Sequence, residues 1–313
     1  MGKYFAGTSG RRARAKLRKG LVLTEIGVSK STHVRYSTAV AQIFRVIEGA
    51  TTMEQIDDLI SDWIQEKFSK GEPINIAADA LSGIHHFIPL TCKKLPMSWK
   101  VFGIWRKYEI PSRAPPITSD LVLAMSSYHF QNGNFTFGAL LLLAFHCFLR
   151  TGEILQLKVS DFLLGPEKGV VRIPRSKGGV RRNMVESITI EDTTVLDALE
   201  ELFDLKKSLG LQRLPLWTGS GQSFRGLFYK TCRIFFVTHL NFRCYSLRRG
   251  GATAYWQACG SLDKVLLRGR WQSTGVARIY LCDALSQLPA LKASVATKQM
   301  LQQYLPFFES PQR

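Results

Sequence analysis

Five residues in this chain have side chains that together suit phosphoryl-transfer chemistry: Arg150, Lys177, Arg248, Trp271 and Tyr280. In chain order they supply three cations, an indole N–H and a phenol. Cations can hold a phosphodiester and protonate it. The phenol, nine residues after the indole, can attack it. The chemistry this set suggests is transfer of a DNA strand onto tyrosine, with cations in the place of a metal.

Each residue also has a plainer reading. Arg150 and Glu153 lie one turn apart where the apolar run LLLLAFHCFLRTGEILQLKVSDF ends, and a buried arginine with an acid at i+3 is often only a structural ion pair. Lys177 falls at the tip of a predicted hairpin among Arg172, Arg175, Arg181 and Arg182. That cluster is either a solvated basic turn or a lysine laid into a DNA groove. The third block, residues 242–285, puts Arg248 near the start of a helix and follows it with Gly250 and Gly251, which permit close backbone approach. A short helix ends at the GRW of 269–271, and a predicted helix over 273–288 carries Tyr280 near its middle. Such a tyrosine is ordinarily a core residue with a wet hydroxyl.

Several elements must position these residues. Amphipathic helices are predicted near 32–48, 52–68, 74–90 and 97–108, with Thr52 and Gln55 as a capping box. The segment PSRAPPIT, 111–118, has three prolines in six positions and reads as a linker. Beyond it, helices are predicted at 119–130, 136–149, 193–209, 223–237, 246–258 and 261–268, with Gly210 and Gly260 as C-caps. Between them, VVRIP (170–174), a tight turn at Ser176–Gly179 and VESITI (185–190) read as a hairpin.

These blocks resemble the tyrosine recombinases, the phage-integrase and Cre-type family, over most of residues 115–292. The family's G-L-R-x-x-E motif is matched by Phe148, Leu149, Arg150 and Glu153, and its hairpin lysine by Lys177, 27 residues after Arg150. Its H-x-x-R motif is matched by Tyr245 through Arg248, its G-H or G-W position by Trp271, and its nucleophile by Tyr280. Each element is common alone; all of them in order at these spacings are a specific signal. One departure stands out. Tyr245 occupies the place of a histidine, and a phenol does not shuttle protons near neutral pH as imidazole does.

The resemblance implies a mainly α fold: an N-terminal helical core-binding bundle plus an α+β catalytic domain with a small antiparallel sheet. On this chain it implies a basic arm at 1–20, the core-binding domain at 21–110, the linker, the catalytic domain at 119–292 and a C-terminal helix or tail at 293–313. It further implies two domains closing around duplex DNA and a homo-tetramer on two DNA sites. The amphipathic 294–308 segment then either docks into a neighbouring copy or packs on its own domain.

The roles follow from chemistry. Only about 0.1% of a free phenol is ionised at pH 7, so Tyr280 needs help. Arg150 and Arg248 would neutralise the non-bridging oxygens and stabilise the pentacoordinate transition state. Lys177 would protonate the leaving 5′-oxygen, help worth roughly 10²–10⁴ in rate. Trp271 would donate its N–H to a phosphate oxygen, Glu153 would orient Arg150, and Tyr245 would hold a phosphate oxygen. Arg172, Arg175, Arg181, Arg182, Arg249 and Arg270 are the expected DNA contacts. No metal or other cofactor is required. Two alternatives remain open: a type IB topoisomerase-like activity, and a catalytically impaired DNA-binding protein derived from a mobile element's integrase.

Composition agrees with a polyanionic partner. The formal charge is +18, and it is uneven: residues 1–20 hold seven basic residues and no acid, residues 21–110 ten of each sign, and 111–313 25 basic against 14 acidic. The six cysteines include no CxxC pair and read as reduced core residues of an intracellular protein, nuclear if eukaryotic. The six histidines are not spaced for zinc. The longest apolar run, Phe137 to Leu149, has 13 residues, short of the roughly 20 that span a bilayer. The basic start lacks a following apolar core and does not read as a secretory signal.

Overall fold

The computed structural model describes residues 19, 27–109, 112–174, 176, 179, 184–281 and 286–308. Lys177, Arg175, Arg181, Arg182, Cys282 and nearly all of the basic arm lie outside them. The chain divides into two compact units, residues 1–112 and 113–313.

The first unit contains α1 (Lys30–Val46), α2 (Met53–Ser69), α3 (Asn75–Phe87) and α4 (Pro96–Tyr108). The apolar stripes read from sequence meet in one core that includes Ile43, Ile60, Trp63, Ile64, Leu81 and Trp105. The Thr52–Gln55 capping box opens α2 as its spacing predicts. α4 starts on Pro96, and the N–H groups of Met97 and Ser98 donate to the buried carboxylate of Asp57 at 2.8 and 2.9 Å. This acid satisfies two donors of the α4 N-terminus and ties it to α2.

The second unit is mainly helical: α5 (Ser119–Gln131), α6 (Phe135–His146), the single turn α7 (Thr151–Ile154), α8 (Thr193–Ser208), α9 (Gly221–Ile234), α10 (Cys244–Cys259), α11 (Leu262–Gly269), α12 (Thr274–Tyr280), the short α13 (Leu288–Leu291) and α14 (Val295–Tyr304). α6 is apolar on every side and buried from Phe137 to Ala144, the pattern of a helix that the rest of a domain wraps around. A three-stranded antiparallel sheet, β1 (Phe162–Leu164), β2 (Gly169–Ile173) and β3 (Glu186–Ile190), has order β1-β2-β3.

The sheet has one strand more than the sequence reading. β1 was not foreseen, since three residues carry no readable alternation. The β2–β3 pair closes at Ile173 opposite Glu186, and the tight turn read at Ser176–Gly179 lies in part outside the described residues. The predicted helix over 273–288 also differs. α12 ends at Tyr280, and Leu281 has an extended conformation with φ −76° and ψ 122°. Tyr280 therefore sits at a helix end, where its carbonyl accepts from Thr253 Oγ1 of α10 at 3.5 Å.

The second half of the proline-rich segment is not a free linker. Ile117 N–H donates to Ser246 O at 3.3 Å, and Pro116 and Ile117 are buried. α14 packs on its own unit: Thr297 Oγ1 donates to Phe235 O at 3.1 Å, and the Tyr304 ring meets Tyr128 edge-on at 5.4 Å. In the single chain this segment thus packs on its own unit. Among the described residues, no helix is long and apolar enough to cross a membrane, and no group of three or more His, Cys, Asp or Glu could hold a metal. The five described cysteines are free thiols. Burial pushes Cys147 and Cys232 up to about 12 and Cys244 to about 11, which makes them unreactive. Cys92 is exposed rather than in the core.

Candidate active site

The turn after α6 sets the first wall. Phe148 has φ 48°, a left-handed conformation that a bulky side chain adopts only when its surroundings hold it there. Its ring is buried, stacked on Trp271 at 6.4 Å and edge-on to Tyr255 at 5.8 Å. The turn aims the Phe148 carbonyl inward and leaves Arg150 as the residue that opens α7. Glu153 then accepts from the Arg150 N–H at 2.9 Å and from its Nη1 at 2.7 Å. Burial works against the Arg150 charge, but the Glu153 carboxylate outweighs it and holds the guanidinium above the usual arginine range.

Arg248 comes from α10 and is the largest fully buried side chain among the described residues. Its Nη1 donates to the Phe148 carbonyl and its Nη2 to Gly269 O at 2.8 Å. Its Nε has no hydrogen-bond partner among the described residues. α10 reaches this depth because of its paired glycines. A Cβ on Gly250 would lie 2.0 Å from Ile117 O, and one on Gly251 would lie 1.9 Å from Phe145 O. The close approach foreseen at these glycines is to the chain itself. Burial, then the neighbouring Arg150 and Arg270, depress the Arg248 pKa to about 10, which still leaves it charged at neutral pH.

Arg270 and Glu186 complete the cluster. The Arg270 guanidinium is 4% exposed and bridges Glu153 at 3.0 Å and Glu186 at 3.6 Å. The expectation that Arg270 faces DNA is therefore corrected, since its side chain is used internally. The same holds for Arg249, which is 4% exposed and donates from Nη1 to Ala114 O at 2.6 Å. Arg172 faces outward on β2 and donates to Ser160 O at 3.0 Å. Glu186 was missed from sequence, although a signal existed: on β3 it shares the buried face with Ile188 and Ile190, and a carboxylate in register with two buried isoleucines needs a cation.

The aromatic side of the site is built by α10, α11 and α12. Gly269 makes room for the Trp271 ring, which would lie 2.3 Å from a Cβ there. Trp271 is 8% exposed, and its indole N–H has no partner among the described residues. Its ring stands 4.4 Å from that of Tyr280. Arg248 lies over both rings, 5.0 Å from Trp271 and 5.2 Å from Tyr280. The Tyr245 ring, 5.6 Å away, closes the far side, and its hydroxyl donates to the Tyr280 hydroxyl oxygen. Burial alone would raise the Tyr280 pKa. The Tyr245 hydrogen bond and the charges of Arg248 and Arg150 outweigh it and hold the phenol below its ordinary value.

The second unit thus brings Arg150, Glu153, Tyr245, Arg248, Trp271 and Tyr280 into one cluster from segments up to 130 residues apart. Among the described residues, three guanidiniums face two carboxylates there, an excess of one positive charge. A buried cation without a full complement of partners is costly, and so is a buried indole N–H left unpaired. Both groups suit an anion with several acceptor oxygens.

No protein-family profile matches the sequence, and no curated protein does either. Solved structures do match. The Tn1549 transposon integrase in complex with transposon right end DNA superposes with a TM-score of 0.64 at 11% identity, covering 94% of this chain and 97% of that one. A lambda integrase dimer bound to a COC′ core site gives 0.54 at 17% identity, covering 89% and 83%. A lambda integrase tetramer bound to a Holliday junction gives 0.54 at 16% identity, with the same coverage of 89% and 83%. Such identities speak for architecture alone, and on that ground the chain has the fold of the tyrosine recombinases, a helical core-binding unit followed by a catalytic-type unit.

Proposed function

We propose that this protein cleaves and rejoins DNA strands through a 3′-phosphotyrosine intermediate, as a site-specific recombinase or integrase of a mobile element. The observation that carries the reading is the fully buried Arg248 and the unpartnered Trp271 N–H gathered around the Tyr280 phenol. Arg150, partly exposed at 28% and locked by Glu153, is placed to reach a phosphate arriving from solvent.

In this reading Arg150 and Arg248 neutralise the non-bridging oxygens, and Trp271 donates to one of them. Tyr280 gives its phenol proton to solvent, its oxygen attacks phosphorus, the bond to the 5′-oxygen breaks, and Lys177 protonates that oxygen. A 5′-hydroxyl later attacks the phosphotyrosine and returns its proton to Lys177, and Tyr280 leaves as a phenolate that regains a proton from solvent. The bond energy is conserved, so no nucleotide hydrolysis is needed. Glu153, Glu186 and Arg270 position the reacting groups without touching DNA. Arg172, with Arg175, Arg181 and Arg182, contributes phosphate contacts around the β2–β3 connection.

The partner in this reading is duplex DNA, and the working form is a homo-tetramer on two sites. The lambda integrase match on a Holliday junction is itself a tetramer, which supports that assembly by analogy. A second reading, a DNA-binding protein without turnover, draws on Tyr245 in the histidine position.

A nicked suicide duplex separates the two. Wild type should form a covalent adduct that mass mapping assigns to Tyr280, and Tyr280→Phe should bind DNA but form none. Binding without adduct in wild type would favour the second reading. Exchange between two labelled duplexes, as against plasmid relaxation alone, separates recombination from topoisomerase activity.

A further inference from the structure

We infer that Tyr245 is a positioning residue for the nucleophile: its hydroxyl donates a hydrogen bond to the Tyr280 oxygen and so readies that oxygen for attack in a site that has no imidazole. The inference rests on the proposed function, in which Tyr280 is the attacking group.

The geometry assigns the direction of this bond. Arg248 lies over the Tyr280 ring, and the positive field there favours a phenolate. Tyr245 is the second residue of α10 and shares a helix face with Arg248, three positions on. It is 40% exposed, whereas Tyr280 is 8% exposed. The outer phenol therefore has a route to water and the inner one has the cations. Donation from outer to inner leaves the extra electron pair of an ionised Tyr280 facing the Tyr245 O–H, within the positive field of Arg248 and Arg150.

The two phenols are also set apart in acidity. Burial and the bond it donates to Tyr280 both push Tyr245 well above an ordinary tyrosine, while Tyr280 is held below one. The first proton lost by the pair thus comes from Tyr280, and Tyr245 stays neutral as the donor. A histidine would reach the phosphate or take a proton. Tyr245 does neither in this arrangement, because its hydroxyl is already committed to Tyr280. The histidine-to-tyrosine difference is then a change of route to an activated nucleophile and not a loss of function.

The test reads ionisation directly, on DNA-free protein, and so does not depend on turnover. Phenolate absorbance or the Cζ resonance of labelled tyrosine is followed against pH in wild type, Tyr245→Phe and Tyr280→Phe. The Tyr280 signal is the one missing from Tyr280→Phe. In Tyr245→Phe it should move to higher pH, with the circular dichroism spectrum unchanged. In the adduct assay, the same variant should shift the rise of rate with pH upward at unaltered DNA affinity.

An unchanged Tyr280 titration in Tyr245→Phe would overturn the inference, as would a rate lowered equally at every pH, which is the mark of packing alone. An adduct mapped to Tyr245 in the Tyr280→Phe protein would also overturn it. If wild type forms no adduct at all, the proposed function fails, while the titration still decides whether the phenol pair is coupled as described.

Discussion

Replacing Glu153 with glutamine probes whether one buried carboxylate holds the cluster together. Glu153 is 4% exposed and accepts from the Arg150 N–H at 2.9 Å, Arg150 Nη1 at 2.7 Å and Arg270 Nη2 at 3.0 Å. Glutamine keeps the volume and one acceptor oxygen, but its amide NH₂ must face a guanidinium. Charge-assisted hydrogen bonds contribute roughly 1.5–3 kcal/mol each, and removing one partner of a buried ion pair costs about 3–5 kcal/mol. Glu186 still faces Arg270, so the low end applies: about 3 kcal/mol, or a fall in Tm of roughly 10 °C for a unit of this size.

The variant should also respond differently to acid. Burial would raise the Glu153 pKa, but Arg270, the Arg150 N–H and the charges of Arg150 and Arg248 outweigh it and hold the group below its ordinary 4.5. A carboxylate depressed in the folded state contributes stability that is complete above its unfolded pKa and is lost as pH falls through the folded one. Wild type should therefore lose more stability than Glu153→Gln below that ordinary value. Urea unfolding followed by circular dichroism measures both effects, and adduct yield on the nicked duplex should drop at unchanged DNA affinity because Arg150 loses its clamp. A variant as stable as wild type at pH 7, with the same adduct yield, would refute the positioning role.

Three further outcomes follow from the same structure. Gly251→Ala would place a Cβ 1.9 Å from Phe145 O and should destabilise the second unit by several kcal/mol in urea unfolding, whereas Gly226→Ala, with nothing within 4 Å, should stabilise α9 by about 0.5–1 kcal/mol. His129 and His146 are held neutral, chiefly by burial, at about 4 and about 3. Because these folded values lie below the unfolded one near 6.5, stability should fall as pH drops from 6.5 toward 4, by about 1–2 kcal/mol per histidine at pH 5, and His129→Gln should flatten that decline. DNA affinity should fall steeply with salt, with a log–log slope of about −0.9 per phosphate neutralised; a flat response would count against a duplex partner for a chain of charge +18.

Local pattern alone was enough for most of the helices. The stripes of α1 to α4, the capping box on α2 and the left-handed glycine at 260 that closes α10 all express interactions within a few residues, and such interactions are written in spacing. The order and spacing of Arg150, Arg248, Trp271 and Tyr280 likewise pointed to side chains that the fold brings together. Lys177 stood in the same pattern and lies outside the described residues.

Tertiary contacts decided the rest. Nothing near Arg270 in sequence says that it turns inward, because its partners, Glu153 and Glu186, are 117 and 84 positions away. The end of α12 at Tyr280 has no helix breaker to mark it; the carbonyl contact with Thr253 and the ring cluster are supplied by α10. The amphipathic pattern of the C-terminal helix does not say what it covers, and within the single chain its Tyr304 meets Tyr128. The pairing of Tyr245 with Tyr280 across 35 positions belongs to the same class. Hydrophobic periodicity records which face of an element is buried, but what that face meets depends on where distant elements cross, and burial there is what converts ordinary side chains into a charged, partly unsatisfied site.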